Sequence, residues 1–339
     1  MPLNPKMHLV ENILDLKSLD QKPTRDGYGL GLVQAADENP NVVALCADLT
    51  ESTRTEPFAK KYPERFVEMG VAEQNMASVA AGMSLMGKIP YIASYAMFSP
   101  GRNWEQLRTT VCYNQANVKI CGAHAGISVG PDGATHQAIE DIAIMRPIAN
   151  MKVFAPCDVH EAKKVTYAIF KVDGPCYVRY AREKTPVFTT EETPFEIGKA
   201  QILWDAMFGG STSKHGLDVA IIACGPLLHN AILAAAELES GGVKVRVINN
   251  ASIKPMDEET IIKAARDAKA VVMVEEHQIA GGMGSAVAEV LAQNYPVPIE
   301  FIGVQNRFGE SGAPQELIER FGMGVKHIKD AVLKILERK

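Results

Sequence analysis

The chain has 339 residues, a length that suggests about two domains, each with its own core. Hydrophobic residues make up 47% and charged residues 22%, as in soluble globular proteins, and no apolar run approaches the ~20 residues of a membrane span. Lys and Arg number 35 against 40 Asp and Glu, a formal charge of −5: there is no electrostatic footprint for general nucleic-acid binding, but a few placed arginines suffice for an anionic small substrate.

The N-terminus, MPLNPKMHLVENILDLKSLD, is mixed and acidic, unlike a signal peptide, so a cytoplasmic location is expected. Six cysteines (Cys46, Cys112, Cys121, Cys157, Cys176 and Cys224) are scattered without a CxxC and read as buried reduced thiols. Arg25, in PTRDGYG, opens a helix. NVVALCADL (Asn41–Leu49) reads as a buried strand, with Asp48 at its end, where it suits a cap or a ligand contact, and Ser52 of CADLTEST just beyond. Glu73 starts an amphipathic helix in which Met76, Val79, Ala80, Met83 and Met86 recur on one face, and Gly87 suits its stop. A carboxylate at a helix start suits the helix dipole; buried, it can hydrogen-bond a ligand nitrogen.

A strand over Ile89–Tyr95 ends at an aromatic pair, Tyr95 and Phe98, placed either to pack a core or to stack on a flat heterocycle. Arg102 follows, as a phosphate contact or a surface residue. After a strand at Val118–His124 comes AHAGISVGPDGATHQAIED, where Gly126, Gly130 and Gly133 surround Pro131-Asp132 in a tight turn. His124 and His136 flank it without zinc-ligand spacing. A glycine-rich loop carrying His, Asp and His suits proton transfer and polar-substrate recognition. Arg182 stands past the strand Pro175–Ala181. Residues 184–217, with Pro186, Pro194, TTEET and GGSTSKHG, read as a linker with an exposed hairpin or loop.

A second α/β unit follows. Strands are expected at Asp218–Gly225, VKVRVINN, AVVMVEEH and PIEFIGV, and helices at Pro226–Glu239, at MDEETIIKAARDA and after GGMGS. The alternation argues for α/β with mostly parallel sheets. GGMGSAVAEV resembles part of a dinucleotide fingerprint but lacks the third glycine at the required spacing. GxxxxGK[ST], GxSxG and a Gly-Asp-Gly followed at a distance by Asn are all absent.

From about Pro23 onward these segments together resemble the C-terminal half of transketolase. The resemblance rests on CADLTEST, RFVEMGVAEQNMASVAAGMSLMGKIPYIASYAMF, HAGISVGPDGATHQAIEDIAIMRPIANMKVFAPCD, GPCYVRYAR, IKPMDEETI and VEEHQIAGGMGSAVAEVL. It implies two αβα-sandwich domains: a pyrimidine-binding domain of the thiamine-diphosphate fold over 23–190, then, after a linker at 191–217, a transketolase C-terminal domain over 218–339. Residues 1–22 form an N-terminal extension without a family counterpart, expected to pack on a partner subunit. The family holds thiamine diphosphate between two domains, and the diphosphate-binding domain, with its Gly-Asp-Gly…Asn motif, is missing here. The chain is therefore similar to the C-terminal subunit of a split transketolase. Mg²⁺ (or Ca²⁺) would be held mainly by the partner, with no metal ligand on this chain.

Residue by residue, Glu73 matches the glutamate that hydrogen-bonds the pyrimidine ring nitrogen. Tyr95 and Phe98 match aromatic residues around the pyrimidine, and Asp48 a cofactor-contacting aspartate. Asp132 and His136 match residues near the reacting carbon of the sugar, His136 with a role in proton transfer. Arg25, Ser52, His124 and Arg182 match phosphate and distal-hydroxyl contacts. The implied reaction moves a two-carbon glycolaldehyde unit from a ketose phosphate to an aldose phosphate, in an α2β2 assembly with the diphosphate-domain subunit and a two-fold pairing of this chain. SPGRN is one residue shorter than the family spacing, so a third aromatic wall residue is unassigned, and Pro131 stands where an acidic residue is common.

Deoxyxylulose-phosphate synthase shares the domain order but typically opens the loop with Asp-Arg, where His124-Ala125 stands here. A 2-oxoacid dehydrogenase β subunit lacks DGATHQ. A split relative acting on a branched sugar phosphate would share the core motifs. A non-catalytic assembly or regulatory protein has no structural need for Glu73, Asp132, His136 and Arg182 together.

Overall fold

The computed structural model describes residues 2–208 and 216–339. In chain order the strands are β1 (Gln21–Lys22), β2 (Val42–Cys46), β3 (Phe66–Glu68), β4 (Ile89–Tyr95), β5 (Lys119–Ala123), β6 (Lys152–Phe154), β7 (Cys176–Arg179), β8 (Thr185–Pro186), β9 (Gln201–Asp205), β10 (Val219–Ala223), β11 (Val245–Asn249), β12 (Ser252–Lys254), β13 (Val271–Gln278) and β14 (Ile299–Val304). A seven-stranded sheet runs β12-β6-β7-β5-β4-β2-β3, parallel except for β12. A five-stranded sheet runs β14-β13-β10-β11-β9, parallel except for β9.

Strands β2, β5 and β10 are buried at every position, which explains why they read as continuous apolar runs. Helices complete both units. Thr24–Glu38 lies against Val159–Ile169 at very close range, because Gly27 and Gly31 carry no Cβ to overlap the Val159 and Lys163 carbonyl oxygens. That packing fixes Arg25 at the helix start.

The helix Glu73–Leu85 buries Met76, Ala77, Ala80 and Ala81. It stops at Gly87 (φ +83°), where Gly87 N–H bonds the Ser84 carbonyl and Lys88 N–H that of Met83. Met86, expected on the apolar face, is instead 84% exposed. Ten residues at 100° per residue turn it about 80° away from Met76, and the helix has already ended.

The tertiary structure adds three features to the two-unit reading. The N-terminal extension packs on this chain's own second unit: Asn4 N–H bonds the Leu203 carbonyl (2.9 Å), Leu3 bridges Trp204, and Ile13 is fully buried. The 191–217 stretch is more than a linker, since β9 forms the antiparallel edge of the second sheet. The GGSTSKHG loop lies outside the described residues apart from Gly216. The units also interlock, because β12, from the second unit, pairs with β6 of the first. One apolar cluster accordingly runs from Met76 and Ile92 through Ile142 and Ile253 to Ile222 and Val271.

GGMGS also gains a definite role. Met283 N–H and Gly284 N–H, at the start of the helix Met283–Asn294, donate to the two oxygens of buried Glu275 (2.7 and 2.9 Å). A side-chain carboxyl thus accepts from the free N–H groups at this helix N-terminus, as a cap does. All six cysteines are free and buried. Among the described residues no helix is long and apolar enough to cross a membrane.

Candidate functional site

The proposed site residues gather along the carboxyl edge of the parallel strands, where α/β sheets bind ligands. Asp48 follows β2, Tyr95 ends β4, His124 follows β5 and Arg182 lies beyond β7. Neighbouring strands thus deliver residues that stand far apart in the chain. Arg25 approaches the same edge from its helix start.

Glu73 is 1% exposed. Its Oε2 accepts a hydrogen bond from Arg102 Nη1 at 2.9 Å, and its carbonyl accepts from Asn103 Nδ2 at 3.2 Å. Arg102 therefore neither sits idle on the surface nor joins the other arginines: it pairs with Glu73 while its guanidinium lies 5.0 Å from the Phe98 ring. Tyr95 and Phe98 stack at 5.9 Å, and Tyr95 stacks on His124 at 3.8 Å. His136 meets both rings edge-on, at 6.2 Å from Tyr95 and 5.5 Å from Phe98, with Nδ1 2.9 Å from Thr135 Oγ1.

A cationic cluster adjoins this aromatic wall. Arg25 Nη1 donates to the Ser52 carbonyl (2.7 Å) and lies 3.3 Å from His124 Nε2. Ser52 thus enters the cluster through its backbone carbonyl. Arg182 Nη1 donates to the Val129 carbonyl (2.7 Å) and reaches Glu183 at 3.1 Å and Asp132 at 3.8 Å. Arg54, which no local motif singles out, pairs with Asp26 at 2.7 Å and adds its field to the cluster.

Burial, then the Arg25, Arg182 and Arg54 guanidiniums, push the His124 imidazole down to about 2. It is therefore neutral. Since Nε2 accepts from Arg25, its proton sits on Nδ1. Burial and Arg54 also lower Arg25. His124 Nδ1 and Arg25 Nε are both buried without a hydrogen-bond partner. Two unpaired donors in a crowd of positive charge fit an acidic ligand group.

This arrangement has a pH consequence. The unfolded chain protonates His124 below about 6.5, whereas the folded chain keeps it neutral down to about 2. Its contribution to stability is therefore complete above about pH 6.5 and is lost as pH falls below that, by up to ~1.4 kcal/mol per unit. His124→Gln is expected to flatten the stability profile between about pH 6 and 4, read by urea unfolding of both proteins.

Asp48 adopts φ +58° and is exposed. Its N–H donates to Glu68 Oε1 (2.7 Å), and Glu68 also accepts from Thr50 Oγ1 and Gly70 N–H. Glu68, Arg54 and the Arg102–Glu73 pair carried no sequence signal, because each acts through a contact distant in the chain. Among the described residues no group of three or more His, Cys, Asp or Glu is placed to hold a metal.

Two mostly parallel α/β units with a buried carboxylate, aromatic rings and a basic cluster at one sheet edge define a two-domain α/β protein with a candidate ligand site at that edge. The transketolase pyrimidine binding domain model matches residues 20–187, and the transketolase C-terminal domain model matches residues 210–328. A Methanocaldococcus jannaschii protein whose name describes a transketolase C-terminal section is 44% identical over 94% of this chain and 97% of its own. The 6-deoxy-6-sulfo-D-fructose transketolase subunit SqwH of Clostridium sp. is 38% identical over 95% of this chain and 97% of its own. A solved structure described as a split gene transketolase, inactive beta4 tetramer, is 43% identical, with a TM-score of 0.84 over 93% of this chain and 98% of its own. The chain belongs to the transketolase family and carries its pyrimidine-binding and C-terminal domains.

Proposed function

We propose that this chain is the C-terminal subunit of a two-chain transketolase, supplying the pyrimidine wall and the acid-end sugar site to a diphosphate-domain partner. The observation that carries this reading is the meeting of buried Glu73, the Tyr95–Phe98 pair and the Arg25–His124–Arg182 cluster at one sheet edge. A buried carboxylate beside a stacked aromatic pair fits an aminopyrimidine. Thiamine diphosphate, when bound, supplies the nucleophilic carbon that carries the two-carbon unit. The diphosphate and its Mg²⁺ (or Ca²⁺) fall to the partner, because the Gly-Asp-Gly…Asn motif is absent from this chain.

Glu73 holds the pyrimidine nitrogen by a hydrogen bond, and Tyr95 and Phe98 orient the ring and exclude water. Asp48 adds a cofactor contact. Arg25, Ser52, neutral His124 and Arg182 bind the acid end and distal hydroxyls of the sugar. Asp132 and His136 face the hydroxyls near the reacting carbon, and His136 exchanges a proton there through Nε2, since Nδ1 is engaged by Thr135.

The cluster supports a ketose with an acidic terminus as the substrate class. Relatives at similar identity are named for a sulfonated fructose and, in Phocaeicola vulgatus, for apulose 4-phosphate. Phosphate is the first choice here, because three guanidiniums and two free donors suit a doubly charged group.

The chain alone is expected to show no transfer, and to gain it on mixing with its diphosphate-domain partner, thiamine diphosphate and Mg²⁺, assayed with xylulose 5-phosphate and ribose 5-phosphate. Turnover by the isolated chain would overturn the half-site reading. No turnover in the assembled complex with phosphorylated, sulfonated or branched ketoses would favour a non-catalytic assembly protein.

A further inference from the structure

The loop that carries Asp132 and His136 belongs to the first unit, yet its anchors lie in the second. Ser128 N–H donates to Glu276 Oε1 at 2.5 Å, and Glu276 is only 4% exposed. Gly126, at φ +93°, leaves the space that this carboxylate fills: a Cβ there would overlap Oε1. Past the turn, buried Gln137 donates from Nε2 to the Ile127 carbonyl (3.0 Å) and to the Glu310 carbonyl of the second unit (2.9 Å). Gln278 N–H reaches the Ile139 carbonyl at 2.8 Å. Arg179 joins the two sides, donating to Asp141 (2.9 Å) and to the Glu276 carbonyl (3.0 Å).

Asp132 and His136 therefore sit on a span between two clamps, Ser128 and Gln137. The first clamp is a side chain, and it sits next to the residue that positions the cationic cluster: the Val129 carbonyl receives Arg182. Movement at Ser128 would shift Asp132, His136 and Arg182 together.

We propose that Glu276, at the end of β13, is a positioning residue for the substrate loop, through which the C-terminal domain sets the geometry of the sugar site. Without an acceptor, the buried Ser128 N–H is left unpaired and the loop gains freedom. The kinetic part of this inference rests on the transketolase reading above. The conformational part does not.

Two variants separate the acceptor from mere bulk. Glu276→Ala removes the oxygen, and Glu276→Gln keeps an acceptor of the same length. In the assembled complex, Glu276→Ala is expected to raise KM for the ketose donor about tenfold or more, with kcat changed less than about threefold, while Glu276→Gln stays within about threefold of the parent in both. In the free chain, amide exchange over 126–136 is expected to quicken about tenfold in Glu276→Ala and to stay near parental in Glu276→Gln. Should Glu276→Ala not fold, Glu276→Asp, which draws the acceptor back by one methylene and leaves the loop sequence intact, is read in the same way.

A purely structural role would lower the melting temperature and the active fraction but leave the donor KM in place. Unchanged exchange over 126–136 in Glu276→Ala overturns the positioning role whatever the activity, as does an equal defect in the glutamine variant. If the parental complex transfers no glycolaldehyde, the proposed function falls, and the exchange measurement still decides the clamp.

Discussion

Replacing Glu73 by alanine is expected to abolish glycolaldehyde transfer while the protein stays folded. The carboxylate lies at the first turn of its helix, almost wholly buried, with one oxygen bonded to Arg102. On the proposed reading it makes the hydrogen bond that activates the pyrimidine, and losing a preorganised group of that kind costs about a thousandfold or more in kcat. The cost in stability is small by comparison. Arg102 retains 48% side-chain exposure and regains water when its partner is removed, and the Asn103 bond to the Glu73 carbonyl persists because it is made to the backbone. A loss of about 2 kcal/mol or less is expected. Steady-state rates in the assembled complex and a thermal melt of the chain check both parts. A variant with a near-parental rate would remove Glu73 from the mechanism.

The second large effect is expected at the cationic cluster. Arg25→Ala and Arg182→Ala should each raise KM for xylulose 5-phosphate by about ten- to a hundredfold, the range for losing a charge-assisted contact to phosphate. With unphosphorylated xylulose the same variants should differ little from the parent, since the contact they remove is not made. Arg182→Lys should recover only part of the loss, because a point charge cannot reproduce a planar fork. Equal defects with both donors would show that the arginines hold the loop rather than the acid group. Arg182 makes that comparison informative, since it already braces the Val129 carbonyl.

Much of the fold is legible in the chain. β2, β4, β5, β7, β10, β11 and β14 fall inside segments that read as strands, and β13 runs one residue past its own, because parallel strands covered on both faces favour apolar side chains. The short strands β3, β6, β9 and β12 escape such a reading. Three to five residues carry little periodicity, and their pairing depends on neighbours far away in sequence. Met86 shows the limit of periodicity where a helix is about to end. The N-terminal segment shows another: its contacts with Trp204, Leu203 and Phe188 follow from the surface it meets, not from its own pattern.

The sequence by itself determined which candidate site residues the chain holds. Glu73, the Tyr95–Phe98 pair and the glycine-rich loop with its flanking histidines were visible as local patterns tied to strand ends and helix starts. Only the tertiary structure decided how these groups are arranged. It brought Arg25, Ser52, His124 and Arg182 together from four segments, left His124 neutral among arginines, gave Arg102 to Glu73, and placed Glu276 of the second unit behind the loop of the first. The reason is physical. Strand and helix patterning is set over a few residues, whereas electrostatic fields, burial and hydrogen-bond pairing depend on distances through space that no short stretch of chain contains.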